Sequence, residues 1–231
     1  MEQSNNILLK LLLFVLFAAL AALVLVPLVA ILLASFKPSQ EMFRFGLNLS
    51  IDPDVMSLSN YKIFLQRPPG SAAYNYYFWY RNSVIIAIVF TLISLLLSSM
   101  VGYGLAVYQF RGSHLLFGLV LVVMMVPVEI IMLPLYKLSI ALKLMDNMWG
   151  VILPFAVAPL PIFFFRQFAS GLPKDFLDAG RIDGCTEYGI FFRIMVPLML
   201  PAFGAMTILQ ALGSWNNFLW PLIVLRSTEK L

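Results

Sequence analysis

Four stretches of this chain run for about a membrane's width or more without a charged residue. They are 11–36, 82–110, 147–165 and 194–225, of 26, 29, 19 and 32 residues. A fifth, 115–136, carries a single charge, Glu129. About 20 apolar residues in a helix cross the hydrocarbon core of a bilayer. The expectation is therefore an all-α, polytopic transmembrane helical bundle with five spans. Composition points the same way: 61% of the residues are hydrophobic and 11% are charged, against about 25% charged in a typical soluble domain.

The inventory of reactive side chains excludes several function classes. There is one cysteine, Cys185, and one histidine, His114. No disulfide closes within the chain, no cysteine cluster holds a metal, and a histidine-based metal site or Ser-His-Asp triad has almost no material to draw on. No G-x-x-x-x-G-K-[ST] occurs, so the chain does not bind ATP through a P-loop of its own. The net charge of +4 suits loops at lipid headgroups better than nucleic acid. The expected catalytic residues, metal ligands and cofactors of this chain are none.

In chain order, residues 1–10 make a short polar start, expected to be cytoplasmic. The run 11–36 is too long for the apolar core of a signal peptide, roughly 7–15 residues, and reads as a retained anchor helix that Pro27 can kink. Residues 37–81 are rich in turn signals, with Pro38, Asp52-Pro53 and Pro68-Pro69-Gly70, and end in Tyr74, Tyr76, Tyr77, Phe78, Trp79 and Tyr80. This segment is expected as an extracytoplasmic loop closed by an interfacial aromatic belt, which also suits a sugar-facing surface. In the second run Ser94, Ser98, Ser99, Gly102 and Gly104 are small enough to let helices approach closely. His114 falls in a tight turn after Arg111-Gly112. Glu129 lies within a run containing Pro127 and Pro134; an intramembrane carboxylate is a functional candidate, although a place near a helix end or break accounts for it more simply. Phe163, Phe164 and Phe165 read as lipid or helix contacts.

Between the fourth and fifth runs lies LPKDFLDAGRIDGCTEYGIFFRIMVPLMLP, residues 172–201, where seven of the 26 charges fall within twenty residues. Pro173 can open a short helix, with Asp175 and Asp178 in its first turns, where carboxylates suit the positive helix end. Asp183-Gly184 signals a break, and Thr186 can cap a second short helix. Two short helices with a kink are expected, with Ala179, Gly180, Gly184 and Cys185 as a small-residue tip suited to a groove on another protein.

The segment resembles the cytoplasmic coupling loop, or EAA loop, of binding-protein-dependent ABC-importer permeases. Asp178 stands in the acidic place, Ala179 and Gly180 in the two small places, Asp183-Gly184-Cys185 in the D-G-A place, and Val196-Pro197 at the close. The stretches 124–138 (MMVPVEIIMLPLYKL) and 213–225 (GSWNNFLWPLIVL) are similar to the carbohydrate-importer branch, the maltose-permease G-subunit type. The combination of 183–195 (DGCTEYGIFFRIM) with 215–227 (WNNFLWPLIVLRS) looks like Gram-positive permeases for arabinose oligomers and related oligosaccharides, with glycerol-3-phosphate or another glycoside as the alternative cargo.

The resemblance implies a type I ABC-importer permease domain over 11–231, with a cytoplasmic coupling loop at 169–197 and a sixth helix after the W-N-x-F segment. It implies a non-identical sister permease, two ABC ATPase subunits that hold ATP and Mg, an extracytoplasmic solute-binding protein, a sugar substrate and a place in the cell membrane. It makes Asp178, Ala179, Gly180, Asp183, Gly184 and Cys185 the ATPase-coupling residues. Trp215, Asn216 and Asn217, with Glu129, are the candidate substrate path, since membrane-buried amides either line a polar cavity or bond a helix. The orientation rests on the resemblance: lysines and arginines number six on the inner segments and nine on the outer ones, opposite to positive-inside counting.

Two other classes compete. A secondary carrier or channel would transport without an ATPase, leaving the elaborate loop idle. An intramembrane enzyme would need paired acids, a histidine-rich site or an activated serine, and Glu129 is the one acid within a span.

Overall fold

The computed structural model describes residues 2–38, 51–66, 69–70 and 72–227. Residues 1, 39–50, 67–68, 71 and 228–231, with Pro68 of the turn signals and three of the nine outer lysines and arginines (Arg44, Arg67 and Lys230), lie outside the described residues. Regular structure among the described residues is helical. The chain divides into two compact units, 1–74 and 75–231.

The first unit holds α1 (Glu2–Ser35) and α2 (Ser59–Gln66). The helix begins well before the uncharged run, carrying Lys10 inside it, so the polar start expected over residues 1–10 is helical from Glu2. Helix α1 is apolar on every side and exposed from Ile7 to Val29, the pattern of a helix that lipid or another subunit must cover. Asn60 on α2 donates to the carbonyls of Ser35 and Lys37 at 2.9 and 3.0 Å, satisfying acceptors at the end of α1 that have no intrahelical partner.

The second unit begins in the first turn of α3 (Ala72–Val107). This helix absorbs the aromatic cluster, so the loop expected over 37–81 ends about ten residues sooner. Aromatic residues are ordinary helix members once a bilayer supplies the apolar surroundings. Ser94, Ser98 and Ser99 are fully buried. A Cβ at Gly102 would stand 2.8 Å from both the Ile162 carbonyl oxygen and Phe165 Cβ. Gly102 therefore lets α3 touch the later helix carrying Ile162, the close approach that small residues suggest, whereas a Cβ at Gly104 would meet nothing within 4 Å.

The remaining apolar runs are broken rather than straight. The run 115–136 becomes α4 (Ser113–Met124) and α5 (Val128–Ala141), bent by 104° at Met125–Pro127. Pro127 cannot continue the helical hydrogen bonding, and its ring disfavours helix in the residue before it. The run 147–165 becomes α6 (Met148–Ile152), a 3₁₀ turn at Leu153–Phe155, and α7 (Pro159–Ser170), with a bend of 45°. Among the described residues two helices are long and apolar enough to cross a membrane by themselves, and up to five spans result when each bent pair counts as one.

After α7 come α8 (Asp175–Ile182), then α9 (Glu187–Ile190), a π turn (Phe191–Met195) and α10 (Val196–Leu198). The chain then turns by 79° into α11 (Leu200–Trp215) and ends its described helices with α12 (Leu219–Val224). The fifth apolar run is thus split at Met199 and again at Asn216–Phe218.

Two cores form. One joins α3, α7, α8, the α9–α10 segment and α11 through Tyr103, Phe165, Leu177, Ile190, Phe191, Met195 and Met206. The other gathers Ile86, Val151, Ile152, Trp220 and Val224. Phe165 is wholly buried and Phe163 stacks on Phe117 at 6.1 Å, so at least two of the three phenylalanines are helix contacts.

Candidate functional site

The segment 172–201 folds as two helices around a closed turn. Helix α8 starts at Asp175 with Lys174 in the capping place, two residues after Pro173, which stands outside it. Its C-terminus is a complete Schellman motif. The Cys185 N–H donates to the Gly180 carbonyl at 2.9 Å and the Gly184 N–H to that of Arg181 at 3.1 Å. Gly184 sits at φ +76°, in the left-handed region that glycine enters without a Cβ penalty. Thr186 then caps α9, its hydroxyl accepting the Gly189 N–H at 3.1 Å.

The two tip glycines have different reasons to be small. A Cβ on Gly180 would lie 2.8 Å from Ile194 Cδ1, so Gly180 lets the two arms of the elbow meet. A Cβ on Gly184 would meet nothing of this chain within 4 Å. Asp178, Ala179, Asp183 and Gly184 are all exposed, and Cys185 is half-buried. Beside them Ile182 is 86% and Tyr188 70% exposed.

Across the break, Arg181 Nε donates to Glu187 Oε1 at 2.9 Å, and Arg181 Nη1 stands 3.5 Å from Asp178 Oδ1. Tyr108, just past α3, donates its phenolic O–H to Glu187 Oε2 at 2.6 Å. Burial first, and then the hydrogen bond with Glu187, push the Tyr108 phenol above its ordinary value, so it stays a proton donor. Sequence reasoning counted Arg181 and Glu187 as charges but gave them no role. Tyr108 carried no signal, since it stands 79 residues from its partner.

At the far end of α11 an open groove of about 340 Å³ is lined by Trp215, Asn216, Asn217, Trp79 and Ser83, among others. Trp215 meets Tyr80 edge-on at 5.6 Å, so the aromatic cluster opening α3 reaches this site. The Asn216 amide donates to the Leu212 carbonyl at 3.0 Å; it bonds its own helix end, the alternative left open for it. Asn217 also lines a smaller cavity of about 90 Å³ beside Gln210 and Ser214, and Gln210 Nε2 donates to buried Ser94 Oγ at 2.7 Å. Trp79 belongs to the aromatic cluster read as suiting a sugar-facing surface; Ser214, in both cavities, and Gln210, in the smaller one, are lining residues that sequence reasoning missed as path candidates. Glu129 lines neither cavity; it is exposed in the first turn of α5, directly after the 104° break. There a carboxylate faces the positive end of a helix.

Grouped carboxylates, cysteine and histidine placed to hold a metal ion are absent among the described residues.

The model of the family described as "Binding-protein-dependent transport system inner membrane component" matches residues 94–229. The arabinooligosaccharides transport system permease protein AraQ of Bacillus subtilis is 59% identical over 205 residues, which cover 89% of this chain and 71% of that one. The protein of the same name from Halalkalibacterium halodurans is 52% identical over 229 residues, 99% of this chain and 80% of that one. The lactose transport system permease protein LacG of Rhizobium radiobacter is 38% identical over 152 residues, 66% and 55% of the two chains. Among solved structures, a chain from a bacterial ABC transporter involved in the import of the acidic polysaccharide alginate superposes with TM-score 0.83 at 22% identity, covering 98% of this chain and 77% of that one.

Proposed function

This chain belongs to the family of binding-protein-dependent transport system inner membrane components, and from that premise we propose that it is the permease subunit of an ATP-driven importer of oligosaccharides, arabinose oligomers above all. It works beside a non-identical sister permease, receives sugar from an extracytoplasmic binding protein, and is driven by two ABC ATPases that hold ATP and Mg. The chain makes and breaks no covalent bonds; it moves between conformations.

The observation that carries the reading is the elbow. It is rigid, because a Schellman motif and a threonine cap close it, and it offers its apolar and small face outward, with the Cβ direction of Gly184 free of the chain's own atoms. A stiff knob with an empty tip is suited to a close-fitting groove on an ATPase. ATPase closure then pushes on the elbow, and the helices rooted there re-aim the groove lined by Trp215, Asn216 and Asn217. An indole face with amide donors and acceptors suits the ring faces and hydroxyls of a sugar. The substrate assignment follows the two arabinooligosaccharide permeases, whose similarity covers nearly the whole chain.

The test is affinity purification of the tagged full-length chain in mild detergent, paired with uptake of labelled arabinotriose. Recovery of a second permease and a P-loop ATPase, and ATP-dependent uptake that lactose and glycerol-3-phosphate do not compete, is the expected result. Purification of the chain alone, with uptake independent of ATP, would return the reading to a carrier or channel.

A further inference from the structure

The Glu187 carboxylate is gripped at both oxygens, by a residue six positions before it and by one 79 positions before it. Arg181, on the other arm of the elbow, donates to Oε1, and Tyr108, at the end of α3, donates to Oε2. These two contacts, and a longer one of 3.4 Å from Arg181 Nη2 to Oε2, are exposed, and exposed ion pairs add little to stability. They are poorly suited to holding the fold together, yet they join three separate elements at one group.

Helix α3 is what makes that junction consequential. Its first turns carry Trp79 and Ser83, which line the groove, and its last residue precedes Tyr108. From Trp79 to Val107 a helix extends about 42 Å at 1.5 Å per residue. One rod therefore touches the candidate sugar path at one end and the elbow at the other. The bond is not enforced by close packing. It stands on the wall of a cleft of about 370 Å³, lined by Met100, Tyr103, Tyr108, Glu187, Tyr188 and Phe191.

We propose that Tyr108, Glu187 and Arg181 form a strut through which the elbow moves the end of α3, with Tyr108 as a positioning residue for coupling. Without the strut the elbow still docks and still drives α11, to which it is covalently continuous, but α3 lags. The groove is then re-aimed incompletely, and ATP is hydrolysed with less sugar moved. The inference rests on the proposed importer function.

The experiment uses the complete transporter, with this chain, the sister permease, ATPase and binding protein reconstituted in vesicles and given labelled arabinotriose. Tyr108→Phe keeps the ring and removes one O–H; Glu187→Gln keeps the shape and removes the charge. In both, the ATPase is expected to co-purify as in the unaltered transporter, with sugar moved per ATP about fivefold lower, the low end of couplings between distant sites. Both changes act on the Tyr108–Glu187 contact, so the loss in the double variant is expected to be smaller than the product of the two single losses.

An unchanged sugar-to-ATP ratio in Tyr108→Phe overturns the strut, as does loss of the ATPase from that variant. Where Glu187→Gln fails to accumulate, Tyr108→Phe decides alone. An unaltered transporter with no ATP-dependent uptake defeats the importer reading itself, a result distinct from a coupled transporter that is indifferent to Tyr108.

Discussion

Cys185 donates its backbone N–H to the carbonyl of Gly180 at 2.9 Å, a bond that passes around Gly184 and fixes the direction in which the chain leaves α8. Gly180, Gly184 and Cys185, three of the four small residues of the tip, are thus parts of one turn. Only Gly184 points its missing side chain into open space, and only Gly180 is hemmed in by the other arm.

That difference separates two substitutions that look alike in the sequence. Gly180→Val is expected to destabilise the protein by about 1–3 kcal/mol, as overpacking does, because the new Cβ would lie 2.8 Å from Ile194 Cδ1 and 3.1 Å from Ile190 Cγ1. Gly184→Val is expected to cost about 1–2 kcal/mol, from backbone strain at positive φ alone, and to lower uptake further by filling the docking face. Thermal unfolding in detergent, read beside uptake and ATPase recovery, checks both. Equal loss of ATPase from the two variants at equal stability would contradict the assignment.

The packing of α3 on α7 yields a second pair. Gly102→Ala places a methyl group 2.8 Å from the Ile162 oxygen and Phe165 Cβ, with an expected cost of about 1–3 kcal/mol. Gly104→Ala, two residues on, meets nothing within 4 Å and is expected to be neutral or to stabilise by up to about 1 kcal/mol, since alanine is the better helix former. Melting temperatures of the two single variants decide the matter.

At the groove, Asn217→Ala and Trp215→Ala are expected to raise the KM for oligosaccharide uptake several-fold while leaving ATPase recovery intact. Asn216→Ala is expected to act mainly through its helix end, where its amide bonds the Leu212 carbonyl, at a cost of about 1 kcal/mol and a smaller change in KM. Uptake kinetics and thermal unfolding on the same preparations distinguish the two behaviours.

In the second core, Trp220 is 2% exposed and donates Nε1–H to the Gly150 carbonyl at 3.1 Å. Trp220→Phe keeps an aromatic ring against Phe155, its edge-on partner, but strands that carbonyl. A loss of about 1–3 kcal/mol is expected, with ATPase recovery unaffected; a melting temperature equal to that of the unaltered chain would contradict it.

The elbow was legible before any coordinates because its determinants are local. Asp183-Gly184 announces a break, Thr186 announces a cap, and both lie within a few residues of what they control. The serine and glycine stripe of α3 was legible for a similar reason: small side chains in an apolar helix mark a close approach, although not which helix approaches. The 104° bend was legible only as a kink, since Pro127 forbids continuation without fixing a direction. Asn216 was ambiguous because the same amide serves a cavity or a helix end, and geometry alone chooses. Tyr108 was illegible, because nothing local distinguishes a phenol that will meet a carboxylate 79 residues away from one that faces a headgroup.

The turn of 79° at Met199 makes the segment from Glu187 to Trp215 a bell crank. Its short arm of 12 residues is about 18 Å long and its long arm of 16 residues about 24 Å. Turned as a rigid piece about the corner, it converts a displacement of about 3 Å at the tip of the short arm into about 4 Å at Trp215, in a direction nearly at right angles to the push. A thrust across the short arm thus arrives at Trp215 as a swing nearly at right angles to it, enlarged by a third.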